Sequence, residues 1–90
     1  MTGRHVFYEG RVQGVGFRYT TKRIASGFEV TGWVRNLDDG RVELRITGDE
    51  EEADAFLEAI RDSELGSHIK NETVSNVPPQ REVKGFEIHG

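Results

Sequence analysis

Gly10-Arg11-Val12-Gln13-Gly14-Val15-Gly16-Phe17-Arg18 is the stretch that decides the fold, because it separates a strand pattern from a helix pattern. Its two closely spaced glycines allow successive backbone amides to turn toward one point, and the next residues open a helix. Such concave nests and helix N-termini bind phosphate-like anions. Arg18 adds a planar fork of donors that suits a phosphoryl group. Residues 10–18 are therefore predicted to form an anion-binding loop, the cradle, in which the Arg18 side chain supplies a positive charge.

The segments on either side of the cradle space their apolar residues in patterns typical of strands and of helices. On the N-terminal side, residues 4–12 place Val6, Tyr8, Gly10 and Val12 on one face of a strand. On the C-terminal side, we predict a helix over 17–26, strands over 30–37 and 41–47 joined by a turn, a second helix beginning at 49, and strands over 68–77 and 83–88. Asp49 and Glu52 have the spacing of a capping box, in which each side chain bonds the other residue's amide.

The predicted order is βαββαβ with an extra short C-terminal strand, which favours an α+β, ferredoxin-like sandwich. We expect one antiparallel sheet with both helices on one face, and a single domain spanning residues 1–90. The first crossover makes the first two strands parallel, so their C-terminal ends share one sheet edge. The cradle follows the first strand and Asn36 ends the second. The sequence therefore predicts that Asn36 and the cradle form one site.

Composition excludes several classes of protein. The 90 residues are 34% hydrophobic and 31% charged, which is ordinary for a globular chain, and no apolar run is long enough to span a bilayer. The start shows no signal-peptide pattern and cysteine is absent, so we expect a cytoplasmic protein without disulfides or thiolate metal sites. The net charge of −4 opposes nucleic-acid binding. The three histidines have no ligand spacing, so no metal is expected.

Val12 limits the chemistry that the cradle could perform. The spacing of Val12 and Arg18, with five residues between them, is that of a cysteine-phosphatase loop. Valine, however, stands where the nucleophile would be. A cradle without a nucleophile either only binds its anion or activates water.

Two further segments complete a family pattern. Together with the cradle, Gly32-Trp33-Val34-Arg35-Asn36 and Asp39-Gly40-Arg41-Val42-Glu43 resemble the acylphosphatases, which carry a G-R-V-Q-G-V-G-F-R loop, a G-W-V-R-N strand and a D-G-x-V-E hairpin at comparable spacing. The resemblance covers almost the whole chain, although residues 65–79 are less characteristic and residues 28–31 depart mildly from the usual pattern.

The resemblance implies hydrolysis of a small-molecule acyl phosphate to a carboxylate and inorganic phosphate, without metal, cofactor or phosphoenzyme. Arg18 would bind the phosphate and Asn36 would orient the attacking water. The phosphoryl oxygens would be held by the backbone amides of Gln13, Gly14, Val15, Gly16, Phe17 and Arg18. Phosphate and sulfate would compete for the site, and a monomer is the default expectation. The chemistry is consistent, because a carboxylate leaving group, whose conjugate acid has a pKa of about 4, departs without a general acid.

Other interpretations remain open at this point. Asn36 could simply bond its own turn, and the glycines could only turn a strand into a helix. A non-catalytic anion- or RNA-binding module is the main alternative, since RNA-recognition domains share this fold. A third is a module that handles carbamoyl phosphate within larger maturation factors.

Overall fold

The computed structural model describes residues 1–90 and confirms the predicted element order. The strands and helices are β1 (Thr2–Gly10), α1 (Phe17–Ala25), β2 (Val30–Asn36), β3 (Val42–Gly48), α2 (Glu50–Asp62), β4 (Ile69–Val77) and β5 (Phe86–His89), with a short 3₁₀ helix (Glu64–His68) before β4. The predicted boundaries differ from these mostly by one to three residues.

The sheet has the strand order β4-β1-β3-β2-β5. Both β1 and β2 pair antiparallel with β3, so they are parallel to each other. The C-terminal ends of β1 and β2, at Gly10 and Asn36, consequently lie at the same edge of the sheet, as predicted. This edge is where the glycine stretch begins.

The strands β4, β1, β3 and β2 pair antiparallel, as expected for the ferredoxin-like sandwich, whereas the short β5 pairs parallel with β2, so the sheet is mixed. After β4, which is one outer strand of the sheet, the chain crosses to the other side of the sheet, where β5 is the opposite outer strand. Arg45 Nη2 donates to the carbonyl of Pro78 (3.0 Å), and the amide of Gln80 donates to Thr47 Oγ1 (2.9 Å), which fixes this crossing on the face without helices. From there β5 runs toward the edge that carries Asn36.

The core lies between the sheet and the two helices. Alternate residues of β1, β2 and β3 point inward, and the apolar stripe of α2 is buried. The inward residues of β1, β2 and β3 include Val6, Tyr8, Val34, Leu44 and Ile46, and those of α2 are Ala53, Phe56, Leu57 and Ile60. Each large apolar side chain buried here contributes about 1.5–3 kcal/mol. Neither helix is long and apolar enough to cross a membrane.

The predicted capping box at the start of α2 is wrong. Asp49 has an extended backbone and its carbonyl accepts from the amide of Ala53 (2.8 Å), but its side chain makes no capping bond. Glu52 Oε1 instead accepts from the amide of Glu29 (2.8 Å), which lies just before β2. The Glu52 carboxylate that the local pattern assigned to the cap therefore accepts from a residue 23 positions away.

Candidate active site

The loop between β1 and α1 has the backbone geometry of a nest. Gly14 and Gly16 have φ angles of +78° and +76°, and Val15 between them is not in the positive-φ region. Alternation of left-handed and right-handed residues turns consecutive amides toward a common centre. A Cβ at either glycine would meet nothing within 4 Å, so glycine is needed for the backbone angle and not for space.

The amides of this loop are free to bind a ligand. No backbone amide of residues 12–19 donates to an acceptor within the protein, and the first helical bond runs from Thr20 N to Gly16 O (3.0 Å). The first turn of α1 holds no acidic residue, whereas that of α2 holds Glu50, Glu51 and Glu52. Because a helix N-terminus carries partial positive charge, α1 offers an unneutralised anion site and α2 does not.

Arg18 and Asn36 line the same pocket, of about 160 Å³. Its walls are Val12, Gly14, Gly16, Phe17, Arg18, Tyr19 and Asn36. The structure thus brings together five of the seven residues that the sequence put forward for the site. Gln13 and Val15 belong to the same loop but do not line the pocket.

Arg18 is oriented from the far end of the chain. Its Nη1 donates to the carbonyl of His89 in β5 (3.3 Å), and the side chain is half-buried. A guanidinium has five N–H donors and stays charged at any working pH. One donor is therefore used to hold the side chain, and the rest can face the pocket.

Asn36 contributes a polar atom without a partner. Its Oδ1 is buried and accepts no hydrogen bond from the protein. The turn that follows is held by other groups, since Gly40 N donates to Leu37 O (3.1 Å) and Asp39 Oδ1 accepts from the amide of Arg41 (3.1 Å). The interpretation of Asn36 as a turn asparagine is therefore wrong. A buried acceptor left unpaired costs free energy unless a ligand or water satisfies it.

Gln13 has a role that the sequence analysis missed. Its side-chain Nε2 donates to the carbonyls of Leu37 (2.7 Å) and Arg41 (3.0 Å), which are the two ends of the turn after Asn36. The cradle loop is thereby tied to the strand end that carries Asn36. This contact could have been predicted. The cradle loop and the turn after Asn36 were expected to meet at one edge of the sheet, which places the long amide side chain of Gln13 beside the carbonyls of that turn.

Phe17 anchors the start of α1 from below. Its ring is buried and packs at 5.1 Å, between centroids, against the ring of Tyr8 in β1. Burial, with the nearby Glu72 carboxylate, raises the pKa of the Tyr8 hydroxyl well above its usual range. Tyr8 is therefore a neutral packing residue, and it fixes the position of the helix N-terminus above the sheet.

The opposite face of the sheet carries a charge cluster centred on Glu43. Its carboxylate accepts from Arg35 Nε and pairs with His5 Nε2 (2.6 Å), so the three central strands are cross-linked. Burial raises the pKa of the Glu43 carboxyl, but the hydrogen bonds and charges of His5 and Arg35 outweigh it and hold the pKa below its usual range. Arg35 is therefore bound to the neighbouring strand, although about half of its side chain is exposed.

Fold and pocket together define a small α+β protein in which a glycine nest, an arginine and an asparagine with an unpartnered Oδ1 line one pocket. Residues 4–88 match the family model described as acylphosphatase. The chain therefore belongs to the acylphosphatase family.

Individual relatives agree with this assignment. An acylphosphatase of Bacillus velezensis is 44% identical over 91% of this chain and 88% of its own length, and one of Haloarcula marismortui is 41% identical over 97% and 94%. The crystal structure of acylphosphatase from Bacillus subtilis superimposes over the whole of both chains with a TM-score of 0.90 and 34% identity. The chain also matches 12% of the length of HypF from T. kodakarensis, with 33% identity over the whole of this chain and a TM-score of 0.85. These relatives support an acylphosphatase function, that of a hydrolase acting on a small-molecule acyl phosphate.

Proposed function

We propose that this chain hydrolyses the carboxyl–phosphate bond of an acyl phosphate by direct attack of water held by Asn36. The phosphoryl group is bound by Arg18 and by the backbone amides of residues 13–18. The observation that carries the proposal is the shared pocket: Asn36, whose buried Oδ1 has no partner in the protein, lines it together with a loop whose amides have no acceptor in the protein.

Binding relies on the backbone and one side chain. The free amides after Gln13 and the N-terminus of α1 supply partial positive charge, and Arg18 supplies a full one. The net charge of the chain is −4, so this local field has to attract the anion by itself. Inorganic phosphate and sulfate present the same oxygens and should compete with the substrate.

Asn36 acts as an orienting group and not as a base. Its carbonyl oxygen accepts a hydrogen bond from the attacking water and directs a lone pair of the water at phosphorus. The water oxygen forms a bond to phosphorus while the bond to the acyl oxygen breaks, and its electron pair leaves on the carboxylate. The proton of the water passes to the phosphate product or to solvent.

The reaction needs no metal in this scheme. A carboxylate, whose conjugate acid has a pKa of about 4, leaves without protonation. The charge that develops on the phosphoryl oxygens is stabilised by Arg18 and the nest amides, so positioning and electrostatics supply the catalysis. Val12 in place of a nucleophile agrees with direct attack by water.

The test is hydrolysis of benzoyl phosphate by the purified protein in EDTA, with variants of the two side chains. Arg18→Ala should lower kcat/KM by about 10²–10³-fold and abolish phosphate binding, as seen by calorimetry. Asn36→Ala should lose turnover to a similar extent but keep phosphate binding. Arg11→Ala removes an exposed arginine of the same loop that does not line the pocket, and should change neither.

Undiminished hydrolysis in both Arg18→Ala and Asn36→Ala would refute the proposed site. Activity of the wild type that disappears in EDTA and returns with a divalent cation would refute the metal-free scheme.

A further inference from the structure

Tyr19 is an exposed aromatic residue at the mouth of the pocket. It lines the pocket directly after Arg18, yet 72% of it is exposed. Only two other large hydrophobic residues are exposed, Met1 and Val74. No hydrogen bond of its hydroxyl and no aromatic contact of its ring explains this position. The ring is therefore presented to solvent beside the anion cradle.

The pocket has room for only one end of the substrate. Its volume of about 160 Å³ lies below the 300–1,000 Å³ of pockets that enclose small organic ligands. Its apolar walls, Val12 and Phe17, are almost fully buried parts of the core and form no separate chamber. Since the cradle donors match the phosphoryl end, the acyl group has to lie outside, at the mouth.

We propose that Tyr19 is a specificity-determining residue, whose ring packs against the acyl group and favours acyl phosphates with aromatic or large apolar acyl groups. The inference rests on the proposed function, because it assigns the phosphoryl end to the cradle. An apolar acyl group at the mouth covers ring surface that is otherwise in water, and an aromatic acyl group also gains an offset-stacked contact. An acetyl group is too short to cover the ring.

The test compares benzoyl phosphate with acetyl phosphate in Tyr19→Ala and Tyr19→Phe. In Tyr19→Ala, kcat/KM for benzoyl phosphate should fall about 3- to 10-fold, mainly through KM, as expected for loss of one aromatic contact. Acetyl phosphate turnover and inhibition by inorganic phosphate should not change. Tyr19→Phe should behave as the wild type, because the ring and not the hydroxyl makes the contact. Val74→Ala, which removes exposed apolar surface on the outer strand β4, should affect neither substrate.

Several outcomes would overturn the assignment. An equal fall for both substrates would show that Tyr19 shapes the cradle, and unchanged kinetics would show that the acyl group does not touch it. A loss in Tyr19→Phe equal to that in Tyr19→Ala would assign the effect to the hydroxyl. Wild-type protein that hydrolyses neither substrate would refute the proposed function itself, whereas wild-type turnover with equal falls refutes only the role of Tyr19.

Discussion

Replacing Gln13 by methionine tests whether the cradle and Asn36 have to be held together. The variant keeps the length of the side chain and removes its two donations to Leu37 O and Arg41 O. Neither carbonyl is orphaned, because Leu37 O still accepts from Gly40 N (3.1 Å) and Arg41 O from Leu37 N (2.8 Å). The loss of stability should therefore be the net value of two hydrogen bonds, about 1–2 kcal/mol, without an added desolvation penalty.

The effect on catalysis should be larger than this loss of stability implies. Asn36 directly precedes the turn that Gln13 holds, and a shift of about 1 Å in a positioning group costs up to 10²-fold in rate. We expect kcat to fall about 10- to 100-fold in Gln13→Met. Phosphate affinity should change less than about 3-fold, because Gly14 and Gly16 set the geometry of the nest.

Steady-state kinetics with benzoyl phosphate, calorimetric phosphate titration and urea denaturation measure the three quantities. Gln80→Met is the matched control, since Gln80 Oε1 accepts from Trp33 Nε1 (3.3 Å) at the other end of the sheet. It should lose stability without losing kcat. A Gln13→Met variant that keeps its kcat, or whose phosphate affinity falls as far as its kcat, would contradict this role of Gln13.

Three other substitutions probe the backbone, the charge cluster and the core. Gly16→Ala places a side chain at φ +76°, so it should lower the free energy of unfolding by about 1–2 kcal/mol and weaken phosphate binding. Gly27 has no positive φ, so Gly27→Ala should change neither quantity in the same denaturation and titration experiments. The pKa of Glu43 is lowered in the folded protein, so its contribution is present above the ordinary carboxyl pKa and is lost as pH falls through the folded-state value. Glu43→Gln should therefore be less stable at pH 7 and show a shallower loss of unfolding free energy below about pH 4, and curves parallel to the wild type would contradict this. Phe56→Ala should cost about 3–5 kcal/mol by thermal or chemical denaturation, because the ring is fully buried against Phe28 and Phe86, and a loss under about 1 kcal/mol would contradict the packing described.

Features set by local chemistry were predictable from the sequence. Alternation placed Val6 and Tyr8 on the core face of β1, and helical spacing placed Phe56 and Ile60 on the core face of α2. The handedness of the first crossover then brought Asn36 to the edge where the cradle begins. That step depends only on strand order, which is why the proximity of these two distant segments could be predicted at all.

Side-chain contacts between segments that are distant in the sequence were not predictable. Glu52 has the spacing of a capping residue but bonds the amide of Glu29, and Arg35 pairs with a buried glutamate on the neighbouring strand. The direction of β5 depends on a crossing held by Arg45 and Thr47, and no local pattern encodes it. The side chain of Gln13 likewise finds carbonyls 24 and 28 residues away.

If Arg18 binds the phosphoryl group as we propose, its hydrogen bond to His89, 71 positions along the chain, makes turnover depend on the docking of β5. A compact state with formed helices and the central strands, but with β5 undocked, would keep most of its far-ultraviolet circular dichroism. In that state the Arg18 guanidinium would lose its hydrogen bond to His89 and sample many rotamers. The entropic cost of ordering the side chain would then add to the activation free energy. On this proposal, circular dichroism and turnover would report different stages of folding in this protein.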